Sequence, residues 1–235
     1  LPNIDFPFIL VGGDCDESIP NDVFFLEDEF LAFINNPLLK HWFSQNLILT
    51  HPKMTHIPIG LDYHTMTNNT IWGDIMSSKD QETTLKNVCK TAKPFWERNL
   101  QCYSNFQFLM TTKHGYDRTD AILQLKRDIV YYEPQKITRI ETWNAQKEYA
   151  FVISPHGGGY DCHRLWEALV LGCIPIVKTS KIDILYEDLP VLIVDQWSDV
   201  TEDLLTKTVF SFRTRTFRQD KLSLKYWMDK IHSYR

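Results

Sequence analysis

Residues 149–177 hold the densest set of groups suited to chemistry on an anion. An apolar stretch, 150–154, breaks at Pro155, and His156 then precedes Gly157, Gly158 and Gly159. Glycines let a backbone approach a ligand that any side chain would obstruct. Asp161 is placed to cap the helix that follows, and Gly172 to end it before the next strand. A strand-to-helix turn of this kind aims unpaired N–H groups and the positive helix end at one point, and a diphosphate fits there. Arg164, in the first turn, can make a forked contact with phosphate. Glu167 lies one turn on, on the same side as Arg164 and His163. A carboxylate there can accept hydrogen bonds from two vicinal hydroxyls, as a ribose presents. Spacing alone equally fits a flexible glycine loop followed by a helix-surface ion pair between Arg164 and Glu167.

Two sharper readings lack their other parts. His156-Gly157-Gly158-Gly159 looks like the oxyanion loop of lipase-type esterases, but no Gly-x-Ser-x-Gly nucleophile elbow occurs in the chain. The glycines are contiguous rather than spaced as in a dinucleotide fingerprint, and the unit comes late in the chain.

The elements that must position these residues read as alternating strands and helices. Strands are expected at 6–11, 47–50, 55–59, 106–110, 129–132, 150–154, 173–177 and 191–194. Helices are expected at 26–36, 38–43, 79–99 with a kink at Pro94, 118–126, 137–147, 161–171, 199–210 and 220–233. The alternation implies α/β architecture with parallel sheet covered on both faces. A division near 79–99 gives two α/β halves whose strand ends face a cleft, where open parallel sheets bind ligands.

Composition narrows the partners. The 235 residues carry a net charge of -5 and are 43% hydrophobic, which is ordinary globular composition and argues against a nucleic-acid backbone as partner. The basic stretch from Arg213 to Arg235 reads as a solvated helix face. No run of about 18 uncharged apolar residues suggests a membrane segment, and no secretory signal is visible. The chain opens on Leu1, which is compatible with a trimmed leader or anchor. Cys15, Cys89, Cys102, Cys162 and Cys173 have neither zinc spacing nor close pairing, so reduced thiols and a cytoplasmic setting are the expectation.

The string Arg164-Leu165-Trp166-Glu167-Ala168-Leu169-x-x-Gly172-Cys173-Ile174-Pro175-Ile176 resembles the C-terminal motif of exostosin-like glycosyltransferases. Asp14-Cys15-Asp16, His51-Pro52, Ile57-Pro58-Ile59-Gly60-Leu61-Asp62 and Asp117-Arg118 add to the resemblance, which is specific over about twenty-five residues. It implies a GT-B architecture: an acceptor-side Rossmann-like domain over 1–100 and a nucleotide-sugar-binding one over 101–235, with the last helix crossing back to the first. It implies Arg164 on the diphosphate and Glu167 on the ribose of a UDP-sugar, with UDP-xylose a candidate, and a glycan hydroxyl as acceptor. The chain departs from the family pattern at His156 and its three glycines, and it is short for the architecture.

Transfer needs a site for the departing diphosphate and a base for the acceptor hydroxyl. The donor-side candidates are Thr112, Arg118, Ser154, His156, Gly157, Gly158, Arg164 and Glu167. Arg118 supplies a second positive charge and His156 a hydrogen bond to phosphate, so that no metal cofactor is required. Asp16 is the first candidate for the base and Asp14 the second, with Asp62 and His64 behind them. The expected outcome is inversion. Gly12-Gly13-Asp14 also fits a simple turn. Asp14-x-Asp16 further supports a GT-A transferase that holds a divalent metal, and the tryptophans fit a non-catalytic glycan- or nucleotide-binding module.

Overall fold

Short apolar runs bounded by turn residues become parallel strands in both halves of the chain. The computed structural model describes residues 4–13 and 15–235. It is a mixed α/β structure with one three-stranded and one five-stranded parallel sheet. No helix among the described residues is long and apolar enough to cross a membrane.

The first sheet runs β1 (Phe8–Gly12), β2 (Leu39–Ser44), β3 (Met54–His56), in that spatial order. Helix α1 (Glu27–Ile34) lays Phe30, Phe33 and Ile34 on Trp42, Leu39 and Leu47. The helix expected over 38–43 is instead the central strand β2, buried at every position but Lys40. A strand buried on both faces reads as a continuous apolar run, which periodicity cannot tell from a helix. The strand expected over 47–50 is absent; Leu47 makes only an isolated bridge to Ile19. The strand expected over 55–59 ends at His56, and Ile57, Ile59 and Leu61 pack on the second half.

The helix expected over 79–99 stops early. Helix α3 (Ser78–Lys90), after the short α2 (Thr65–Asn68), is capped by the Ser77 side chain and ends before Pro94. Proline bars helical geometry in the residue before it, and a single 3₁₀ turn, Phe95–Glu97, follows. The chain then enters β4 (Asn99–Ser104), so the strand expected over 106–110 is a loop. Phe106 still joins the core, which explains the misreading: it packs apolar surface just beyond the strand end.

The five-stranded sheet adds β5 (Val130–Tyr132), β6 (Tyr149–Ile153), β7 (Ile174–Lys178) and β8 (Leu192–Val194), in the order β5-β4-β6-β7-β8. The helices are α4 (Tyr116–Gln124), α5 (Arg139–Gln146), α6 (His163–Val170), α7 (Glu202–Arg213) and α8 (Leu224–His232). Strand alternation sorts them to two faces. Phe151 and Ile153 meet Ala121 of α4 and Leu205 of α7. Val152 points the other way, to Leu85 of α3, Trp143 of α5 and Ala168 of α6. Helix α6 ends as expected: Gly172 is left-handed at φ +73, and the N–H groups of Gly172 and Cys173 bond to Leu169 and Ala168.

The chain goes from β4 outward to β5 and then back past β4 to β6. The strand order therefore reverses between β4 and β6, and a crevice opens beyond their carboxyl ends. At the far end of the chain, Tyr234 reaches the first sheet, its ring 3.8 Å from that of His41.

Candidate functional site

The loops after β4 and β6 bound this crevice, which has a volume of about 360 Å³ and is closed on its other side by Asp16, Ile59 and Asp62 of the first half. The first turns of α4 and α6 deliver Arg118 and Arg164 into it. Arg118 is fixed by donating from Nε to the His156 carbonyl at 3.0 Å and from Nη1 to the Gln107 carbonyl at 3.0 Å. Arg164 donates one long bond, 3.4 Å, to the Pro155 carbonyl. Both guanidinium groups flank Phe106, at 6.0 Å and 5.4 Å from its ring centroid. Among the described residues neither arginine is in an ion pair. Burial, with repulsion from Arg118, brings Arg164 down to about 10, so it remains cationic at neutral pH. Two partly desolvated cations with no carboxylate partner make an anion site.

The glycine turn has a use the sequence reading did not foresee. What approaches each glycine closely is a side chain of the protein. A Cβ on Gly157 would come within 2.7 Å of Arg118 Nη2, one on Gly158 would strike the Asp16 carboxylate, and one on Gly159 the Asn46 amide. Asp16, on the exposed rim, is thereby brought against the β6–α6 loop. Asn46 anchors the same loop, accepting from the Asp161 N–H at 2.9 Å and donating to the Cys15 carbonyl at 3.0 Å.

Asp161 does not cap α6. The residue at the cap is Cys162, without a side-chain bond, and Asp161 turns inward. Its carboxylate accepts from the Trp166 indole and from the Ile59 N–H, both at 2.7 Å, tying the two halves together. Capping lost to a pair of donors from the segment after β3 and from α6 itself, a choice that spacing does not reveal. Burial raises the Asp161 carboxyl to about 7, against the pull of those hydrogen bonds.

Glu167 is buried rather than paired with Arg164 on a surface. It accepts from the Trp143 indole at 3.2 Å and faces Arg139 Nη1 at 3.5 Å. Arg139 also bonds Asp62 Oδ2 at 2.8 Å, and Asp62 takes the Thr65 N–H at 2.9 Å and lies 3.2 Å from His64. Burial pushes Asp62 up, but the Thr65 and Arg139 hydrogen bonds and the Arg139 charge outweigh it and hold the carboxyl down at about 2. Burial pushes Glu167 up, opposed by Arg139 and Trp143. An ionised carboxylate has about four acceptor positions, so Glu167, which lines the crevice, retains capacity for a ligand hydroxyl.

The remaining expected residues divide by position. His156 stands outside the crevice lining: Asp117 holds its backbone N–H at 2.9 Å and its Nδ1 at 3.1 Å, and it contributes through the carbonyl that fixes Arg118. Thr112 also lies outside the lining and secures the turn, its hydroxyl donating to the Gly157 carbonyl at 2.9 Å. Ser154 is buried at the end of β6, with no partner for its hydroxyl among the described residues. His64 is exposed beside Asp62. Asp14 lies outside the described residues. Sequence reasoning missed Arg139, Asn46 and Phe106. Arg139 lies within a Thr138–Glu141 capping box, so its place in a first turn was visible, but its reach to Asp62 was not.

Among the described residues no group of three or more His, Cys, Asp or Glu side chains is arranged to hold a metal ion. A scan against protein-family models gives no match, and a search of curated proteins gives no significant one.

Proposed function

We propose that the protein is an exostosin-like glycosyltransferase of GT-B architecture, with domains over 1–100 and 101–235, moving a sugar from a UDP-sugar to a glycan hydroxyl. The observation that carries this reading is the pair Arg118 and Arg164, unpaired by any described carboxylate, at the point where the strand order reverses. In this reading the two guanidinium groups and the start of α6 take the diphosphate. Glu167 accepts a ribose hydroxyl, with Arg139 and Trp143 holding it in place. Asp16, on the opposite wall, takes the proton of the acceptor hydroxyl as its oxygen attacks the anomeric carbon. The bond from that carbon to the phosphate oxygen breaks, its electron pair leaves with UDP, and configuration inverts. The arginines stabilise the developing charge and no metal is called on.

A thermal-shift panel of nucleotides and nucleotide-sugars tests this, because a ligand that binds only the native state raises Tm. UDP and one or more UDP-sugars, UDP-xylose among them, are expected to raise Tm in the parent and not in Arg164→Met. No shift with any nucleotide, or an equal shift in the variant, rules the donor site out. Binding without turnover on any glycan would leave a binding module. Loss of turnover in EDTA restored by manganese would replace the metal-free mechanism with a metal-dependent one.

A further inference from the structure

Where the arginine crevice meets the first half, most of its titratable groups are already engaged. Asp62 is bonded to Arg139 and to the Thr65 N–H, and Asp161 to Ile59 and Trp166. Two groups of the lining there keep acceptor capacity free among the described residues, the Asp16 carboxylate and the imidazole of His163.

His163 is the first residue of α6, one helical turn before Glu167 and on the same side. Its Nδ1 lies 2.8 Å from the Gly60 carbonyl. A carbonyl can only accept, so Nδ1 carries the proton and the neutral ring keeps a bare lone pair on Nε2. That nitrogen is neither enclosed nor bonded among the described residues. The carbonyl that sets this tautomer is itself held in place. Gly60 adopts a left-handed φ of +69 although a side chain there would meet nothing within 4 Å, so backbone conformation alone calls for glycine. The adjacent Ile59 N–H, tied to Asp161 at 2.7 Å, keeps that turn against the start of α6.

We infer that His163 Nε2 accepts a hydroxyl of the transferred sugar, and that the crevice takes a neutral sugar in preference to a uronic acid. The inference rests on the donor reading. With the diphosphate on Arg118 and Arg164 and the ribose at Glu167, the sugar extends toward the end that holds Asp16 and His163. Side chains at that end offer acceptors, which sugar hydroxyls satisfy. A sugar carboxylate needs a cation instead, and Arg139 is committed to Asp62 and Glu167. It would also face the like charge of Asp16, an unpaired arrangement that works against the uronic acid.

UDP-xylose and UDP-glucuronate differ only in the carboxylate on C5 of the sugar, and UDP lacks the sugar altogether. Titration calorimetry of all three with the full chain therefore separates the donor reading from this inference. UDP-xylose is expected to bind about tenfold or more tighter than UDP-glucuronate, the effect of an uncompensated like charge. His163→Asn puts an amide N–H where Nδ1 stood, keeping the bond to Gly60, and removes Nε2. It is expected to bind UDP as the parent does and UDP-xylose about fivefold more weakly, the loss of one hydrogen bond. Should it fold poorly, His163→Phe, which keeps a ring and lacks both nitrogens, is expected to give the same loss. The inference is overturned if UDP-glucuronate binds the parent as tightly as UDP-xylose does. It is equally overturned if a folded His163 variant binds UDP-xylose like the parent, or weakens UDP and UDP-xylose alike. A parent that binds UDP in any of these cases leaves the donor reading standing, whereas a parent that binds no nucleotide overturns both.

Discussion

Neighbouring glycines in the 157–159 turn differ in what a single added methyl group would displace. At Gly159 it meets Asn46, which cannot retreat without giving up its bonds to the Cys15 carbonyl and the Asp161 N–H. Gly159→Ala is therefore expected to cost about 2 kcal/mol, two buried hydrogen bonds, read by urea denaturation. At Gly158 it meets the carboxylate of Asp16, an exposed side chain free to swing into solvent. Gly158→Ala should leave stability within about 0.5 kcal/mol. With the proposed base displaced, its turnover should fall by about 100-fold or more, as in Asp16→Asn. Parent-like turnover in Gly158→Ala would remove Asp16 from the mechanism. The two arginines separate in the same way. Arg118→Met strips bonds from the His156 and Gln107 carbonyls and should destabilise by about 2 kcal/mol, while Arg164→Met removes one long bond and a like-charge repulsion, leaving stability within about 0.5 kcal/mol. Both should abolish the UDP-induced rise in Tm.

At the scale of elements, the β6–α6 connection carries a buried carboxyl whose pH dependence can be isolated. Asp161 is raised from 3.8 to about 7 in the folded protein. The folded state therefore holds a proton that the unfolded state has released, and stability falls as pH rises from about 4 to about 7. The slope from one such group is at most about 1.4 kcal/mol per pH unit. Buried His41 and His114 and half-buried His56 are shifted down by desolvation and act in the opposite sense, losing stability as pH falls below their ordinary value of 6.5. The difference between the parent and Asp161→Asn removes them, and that difference in denaturation free energy should run with pH between about 4 and 7 and flatten above it. A pH-independent difference would show that Asp161 stays ionised. This carboxyl also marks how far the sequence could be read. Strands 129–132, 150–154, 173–177 and 191–194 were legible because turn residues bound each one. The 38–43 segment was not, because burial on both faces erases period. Arg164 and Glu167 were legible because one eight-residue helix sets their spacing. The Asp62–Arg139 pair, 77 residues apart, has no such ruler.

Across the whole molecule, the two sheets meet through bonds that a local opening would have to break together. Asp161 holds Ile59, Asn46 holds Asp161, His163 Nδ1 lies 2.8 Å from the Gly60 carbonyl, and Arg139 holds Asp62. Apolar residues Ile57, Ile59 and Leu61 pack into the cluster built on Leu165, Leu169 and Trp227, and Tyr234 covers His41. Shared apolar burial and shared buried charge both favour one cooperative unit. Hydrogen exchange is accordingly expected to give β2 and β6 the same opening free energy in the parent. Arg139→Ala leaves the carboxylates of Asp62 and Glu167 buried without their common partner, a loss of about 3–5 kcal/mol. The bond lost to Asp62 is one of the ties between the halves, so β1 to β3 should then open at lower free energy than β4 to β8. A parent in which the first sheet already opens separately would show that apolar packing around Trp227, without the ion pairs, is too weak to couple the halves. Arg139→Ala opening as one unit would show the reverse, that the apolar seam suffices and the Asp62–Arg139–Glu167 chain serves chiefly to hold Glu167 at the crevice wall.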